Sequence, residues 1–188
     1  MIHRDACEEK LMSLSMYDVT VPAFLRAFAN LSAILAKAEA HAKATGLDPN
    51  VYLEARLAPD MLPLTAQIQR ASDTAKGCVV RLGAVENVSF PDTEASFAEL
   101  DARIAKTADL LRRASASRLN DAEHRKVEMK FRDRTITFDG RDYVTVYALP
   151  NFYFHVTTAY DLLRHKGLEI GKADFIGALD RPEAGAGA

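Results

Sequence analysis

The chain has 188 residues, 48% of them hydrophobic and 27% charged, which fits one domain with a sizeable core and excludes disordered, collagen-like or coiled-coil compositions as global descriptions. Its 24 Lys and Arg against 26 Asp and Glu leave a net charge of -2, so there is no basic footprint for nucleic acid or an anionic membrane. Cys7 and Cys78 are the only cysteines, and a core of this size needs no disulfide, which points to a reducing cytoplasm.

Residues 1–11 are charged where a signal peptide would be apolar, and no window approaches the roughly 20 apolar residues of a membrane span. They read as a loose extension ahead of Met12, a second candidate start, so the expected domain covers 12–177. The first long helix is expected near 20–45. Phe24, Phe28, Leu31, Leu35 and Ala38 recur at three and four residues, Thr20 is placed to cap, Pro22 suits a first turn and Gly46 is the stop. Asp48-Pro49 opens a short connector over 51–57, which Pro59 ends.

A second long helix is expected near 62–82 from the stripe Leu64, Ile68, Ala71, Ala75, Val79 and Leu82. After a polar loop over 84–95, Ser96 and Glu99 form a capping-box pattern ahead of Phe97, Leu100, Ile104, Ala108 and Leu111, a third helix near 95–114. The period then changes to two in Val127, Met129 and Phe131 and again in Ile136 and Phe138, a hairpin over 125–138 turning at Arg132-Asp133-Arg134. Val144, Ala148, Phe152, His155, Ala159 and Leu162 mark a fourth helix near 142–165, which Pro150 should bend or divide. The expected fold is mainly all-α, a four-helix bundle with a small hairpin inserted before the last long helix. Residues 178–188 are too small and polar to pack and read as a disordered tail.

No P-loop, G-x-G-x-x-G, G-x-S-x-G, H-E-x-x-H or paired C-x-x-C is present, which removes the common nucleotide, nucleophile-elbow and zinc motifs. What stands out is polar residues among the helix stripes. Asn151 and His155 are four apart and share a face with Ala148, Phe152 and Ala159. An inward imidazole in a bundle is a metal ligand or a core histidine whose nitrogens find partners, with Asn151 the nearest candidate. Gln67 lies within about 60° of the Leu64 direction and leans inward. Asp60 joins that edge if the helix begins early, or caps the Pro63-containing start. Gln69 and Asp73 fall on the opposite side and read as solvent-facing. His41 and His165 read as charges complementing helix C-termini and Cys78 as a small buried hydrophobe. The aromatic group Tyr143, Tyr147, Phe152, Tyr153, Phe154 and Tyr160 offers core, dimer surface or a pocket wall.

Several segments together carry a resemblance. They are Ser15-Met16-Tyr17 with Val21-Pro22, Arg56-Leu57-Ala58-Pro59-Asp60-Met61 with Gln67, Phe90-Pro91-Asp92-Thr93, and Leu149-Pro150-Asn151-Phe152-Tyr153-Phe154-His155 through Tyr160-Asp161-Leu162-Leu163-Arg164-His165. Over about 12–177 the chain resembles the bacterial DUF1993 family, grouped with the DinB/YfiT-like proteins. The resemblance implies a DinB-like four-helix bundle, often a homodimer. Many DinB-like members carry a three-histidine metal site, one His on the second helix and an H-x-x-x-H pair on the last. Here the pair reads Asn151 and His155; only His155 matches by position, and Gln67 is placed third by helical phase.

One imidazole in place of three makes a poor zinc or nickel site. The first functional expectation is therefore a cytoplasmic bundle that binds a small molecule in a cleft near His155, Asn151, Gln67 and Asp60, with a degenerate or absent metal site and no cofactor. The rival, implied by the family, is an enzyme of thiol transferase or hydrolase type in which His155 helps hold a divalent zinc or nickel ion. A third reading makes the polar residues a hydrogen-bond network that fixes helix register.

Overall fold

The computed structural model describes residues 14–179; the extension expected at 1–11 and most of the tail expected at 178–188 lie outside them. Helix α1 (Met16–Thr45) begins earlier than expected. Ser15, not Thr20, is its cap: Ser15 Oγ accepts from the Asp18 N–H at 3.2 Å, and the Ser15 N–H donates to the Asp18 carboxylate at 3.1 Å. Thr20 sits inside the helix, its hydroxyl donating to the Met16 carbonyl at 2.6 Å. Gly46, at φ 68°, supplies the left-handed residue that ends α1.

By length and composition α1 is apolar enough to cross a membrane, with a hydropathy of 1.5, which corrects the expectation that no such stretch exists. In this fold its apolar face is the wall of the core: Val21, Phe24, Phe28, Leu31, Ile34, Leu35 and Ala38 are all buried.

The short α2 (Asn50–Leu53) leads to α3 (Leu64–Arg81), which starts on Pro63 without a side-chain cap. Asp60 is exposed and does not cap it. The capping serine of α4 (Phe97–Arg112) is Ser96, which accepts from the Glu99 N–H at 3.2 Å. A helix the sequence did not announce, α5 (Ala116–Asn120), precedes the hairpin. Strands β1 (Lys126–Lys130) and β2 (Thr135–Asp139) pair antiparallel in the register Val127↔Phe138 and Met129↔Ile136, with Val127 and Met129 buried.

The last long element is divided, as Pro150 requires. After α6 (Gly140–Asp142) comes a π-helical stretch (Tyr143–Ala148), then α7 (Leu149–His165). The Leu149 N–H donates to the Val144 carbonyl, five residues back. Pro150 has no N–H to offer and its ring collides with an i−4 carbonyl, so the wider turn before it removes both conflicts. A final α8 (Lys172–Ile176) lies on α1, held by Lys37 Nζ on Asp174 at 2.5 Å and the Asn30 amide on the Phe175 carbonyl at 2.9 Å.

α3 packs along α7 and α4, and α1 along α4 and α7, which closes the four long helices into a bundle. At the core Phe152 meets Phe24 and Phe28 edge to face, with ring centroids 4.6 and 5.2 Å apart. The hairpin stands at one end, where Phe138 and Phe131 pack against Tyr147 of the π stretch at 6.5 and 5.9 Å.

Candidate functional site

Two side-chain hydrogen bonds join α3 and α7 among the described residues, one from Asn151 and one from His155. His155 Nδ1–H donates to Gln67 Oε1 at 2.7 Å, and Gln67 Nε2 donates to the Leu62 carbonyl at 3.1 Å. The second bond fixes which end of the amide faces the ring. An amide oxygen only accepts, so Nδ1 carries the proton and Nε2 the lone pair. The ring is buried, at 9% exposure. Burial, and then the positive charge of Arg70, hold the His155 pKa below its ordinary value.

Asn151 does not bond His155 as expected. Its Nδ2 donates instead to Thr74 Oγ1 at 2.7 Å, and the Thr74 hydroxyl passes on to the Arg70 carbonyl at 2.7 Å. Gln67 pairs with His155 and Thr74 with Asn151, so α3 and α7 run antiparallel. Asp60, exposed in the loop before α3, takes no part in either contact. Among the described residues no three His, Cys, Asp or Glu side chains gather as a metal ion requires.

Beyond Asn151 and Thr74 opens a cleft of about 680 Å³ between α3, the π stretch and the loop at 87–92. Arg70, Lys76 and Arg81 line it with Tyr143, Tyr147 and Phe90. Tyr143 and Tyr147 are stacked at 6.0 Å with 20° between their planes. The pocket wall expected of the aromatic group is thus this pair; Phe152 is core, Tyr160 packs on Phe175, and Tyr153 and Phe154 are exposed.

The far wall rests on a residue that sequence reading passed over. Arg103 of α4 is buried and holds Asp73 at 2.9 Å, Asp92 at 2.9 Å and Glu94 at 3.0 Å, with the Pro91 carbonyl at 3.1 Å. Arg70 also pairs with Asp92, and Lys76 lies over the Phe90 ring at 4.8 Å. Gln69 is likewise buried, its amide donating to Glu94 at 2.9 Å. Gln69 therefore does not face solvent and Asp73 is half-buried: the loop after α3 folds back over this side and brings its own carboxylates to Arg103. Burial alone would raise the Glu94 pKa, but hydrogen bonds from Gln69, its own backbone N–H and Arg103, with the guanidinium charge, bring it below its ordinary value. A signal was available: Arg103 interrupts the apolar stripe of Leu100, Ile104 and Leu111.

Cys78 is buried beside the cleft floor and burial pushes its thiol up to about 12, leaving it protonated. His41 meets the Tyr52 hydroxyl at 2.9 Å, a structural contact that joins α1 to α2.

A solved structure shares this fold. The crystal structure of a DinB family member protein from Shewanella denitrificans, at 1.83 Å resolution, superposes with a TM-score of 0.79 and 39% sequence identity, covering 88% of this chain and 94% of that one. No curated protein matches the chain. The family model of DUF1993, a domain of unknown function, matches residues 16–176. On bundle, hairpin and sequence together, the chain belongs to the DUF1993 family and has the DinB-like fold.

Proposed function

We propose that this protein binds a small molecule in the cleft bordered by Asn151, Thr74 and the stacked tyrosines, and that it does so without a tightly held metal. The observation that carries the reading is the cleft of about 680 Å³ walled by Tyr143, Tyr147, Arg81 and Asn151. His155 Nδ1–H is held by Gln67 Oε1 and the Asn151 amide N–H by Thr74 Oγ1, and among the described residues no three His, Cys, Asp or Glu side chains gather around the ring. A single imidazole nitrogen with neutral amides beside it is a poor donor set for a divalent zinc or nickel ion. The Asn151 side of this polar row opens instead into a concave space with aromatic walls and a few polar groups, the usual form of a small-molecule site.

The metal content of untagged protein by mass spectrometry tests this, together with a thermal-shift screen of small molecules. The expected result is little metal and at least one ligand whose effect is lost in a cleft variant. Stoichiometric zinc or nickel that survives chelator dialysis and disappears in His155→Ala would replace this reading with a metal-dependent enzyme of thiol transferase or hydrolase type.

We infer in addition a cytoplasmic homodimer. Val146, 64% exposed, and Phe154, 56% exposed, leave apolar surface on the outer side of the last helix, which supports association. Sedimentation velocity checks it, and a monomer at all concentrations overturns it.

A further inference from the structure

The charged groups around the cleft are unequally committed. Asp73 and Asp92 are held from behind by Arg103 and approached from the cleft side by Arg70, so their acceptor capacity is engaged. Arg81 has no ion pair among the described residues. Its one hydrogen bond there is from Nη1 to the Tyr143 hydroxyl at 3.3 Å, which leaves most of its donor fork open.

The helix surface beneath Arg81 is shaped for it. Gly77 lies one turn earlier on α3, and a Cβ there would collide with Arg81 Nη1. Glycine in a helix interior is unfavourable, and here its bare backbone lets the guanidinium lie back across the helix toward Tyr143.

Tyr143 adds a second donor. It is fully buried, and burial, with the neighbouring Cys78 as a lesser cause, pushes its phenol up to about 12, so the O–H stays protonated. Its oxygen accepts from Arg81, and its own proton has no acceptor among the described residues. Asn151 uses one N–H on Thr74 and keeps the other. The cleft therefore presents open donors beside acceptors already neutralised, next to apolar surface from Tyr147, Val80 and Met129.

From this juxtaposition we infer that the cleft takes its ligand by an oxyanion group, a carboxylate or a phosphate, seated on Arg81 with the Tyr143 hydroxyl as second donor. The body of the ligand lies along the stacked tyrosines. A planar guanidinium matches either anion with two parallel hydrogen bonds, and such charge-assisted bonds are the stronger kind. The inference rests on the reading of the cleft as a small-molecule site and narrows it to one chemistry.

Amide NMR titrations of the full chain with benzoate, inorganic phosphate and neutral benzamide test it, in wild type, Arg81→Gln and Arg112→Gln. Arg112 is exposed on α4 and serves as the control. Benzoate or phosphate is expected to shift the Gly77, Arg81 and Tyr143 amides saturably, with affinity falling about tenfold or more in Arg81→Gln and unchanged in Arg112→Gln. Response to benzoate alone identifies a carboxylate, and to phosphate alone a phosphate. Benzamide binding as well as benzoate, or anion binding indifferent to Arg81→Gln, overturns the oxyanion while leaving a ligand site in the cleft. No perturbation of any cleft amide by any of the three probes overturns the inference, and a fragment screen that also leaves those amides unmoved overturns the site.

Discussion

Gln67 Oε1 lies 2.7 Å from His155 Nδ1, joining positions 88 apart in the chain across the α3 and α7 seam. The bond determines the tautomer of the His155 imidazole and engages the Gln67 amide oxygen. Gln67→Ala strands a buried N–H and is expected to cost about 1–3 kcal/mol, as is His155→Leu, which strands the amide oxygen. If the two act as a pair, the double variant loses less than the sum, by a coupling of about 0.5–3 kcal/mol. Urea unfolding of the four proteins in the cycle measures this, and additive losses would show that the contact contributes nothing.

The protonation of His155 predicts a pH dependence. Its folded pKa lies below the ordinary 6.5, so the unfolded chain takes up the proton first as pH falls. In that window the unfolded state binds more protons, and stability decreases with decreasing pH from about 6.5 until the folded ring protonates too. Glu94 acts in the same direction but later: its folded pKa is below 4.5, so the stability it contributes is present above that value and is lost as pH falls through the folded one. Thermal denaturation from about pH 7.5 to pH 5.5 is expected to show a decline that His155→Gln abolishes. A decline of equal size in the variant would assign it to other groups.

Arg103 is the keystone of the cleft's outer wall. Replacing it with Met leaves Asp73 and Asp92 with Arg70 on the cleft side and Glu94 with no cation among the described residues, a loss of about 1–3 kcal/mol. The amides over 84–96 are expected to exchange faster, and the loss is expected to shrink in acid as Glu94 protonates. Hydrogen exchange by mass spectrometry with unfolding at two pH values reads both. Unchanged protection over 84–96 would mean that the loop is held by its apolar contacts.

Gly77→Ala should separate stability from binding. Alanine is favoured over glycine in a helix interior by about 1 kcal/mol, and the atom its Cβ would meet is the far end of a flexible side chain that can swing away. The variant is expected to be at least as stable as wild type while losing the anion response at Arg81. A variant that keeps that response would show that the seat is not needed.

Much of the architecture was legible because it depends on each helix's own pattern. Phe24, Phe28, Leu31 and Leu35 on α1, the alternation of Val127 and Met129, and the inward lean of Gln67 and His155 all follow from periodicity. What was illegible depends on elements that return from elsewhere. A helical wheel places Gln69 and Asp73 opposite the apolar stripe, and only the path of the loop after α3 shows that Gln69 is covered and Asp73 half-buried. Asn151 found Thr74 rather than His155 for the same reason: neighbours on one helix were visible, and those across the seam were not. Ser15 and Thr20 are both capping residue types, and the acidic partner at Asp18 decided between them. The short α5 and α8 are too brief to show a period.

The wide turn at Tyr143–Ala148 sets the angular phase between the two halves of the last helix. In an α-helix, residues four apart advance by about 40°, so Tyr143, Tyr147, Asn151 and His155 would fan out around the axis. A π turn holds more residues per revolution, and the same step carries the chain less far. The stacked tyrosines thus stay on the side that bears Asn151. One residue fewer in this segment would rotate everything before it by about 100° against α7, and would take the tyrosine pair and the hairpin packed on it away from the cleft. Chain length between the hairpin and Pro150 therefore sets which side chains wall the cleft, and relatives that differ there would line it differently on the same scaffold.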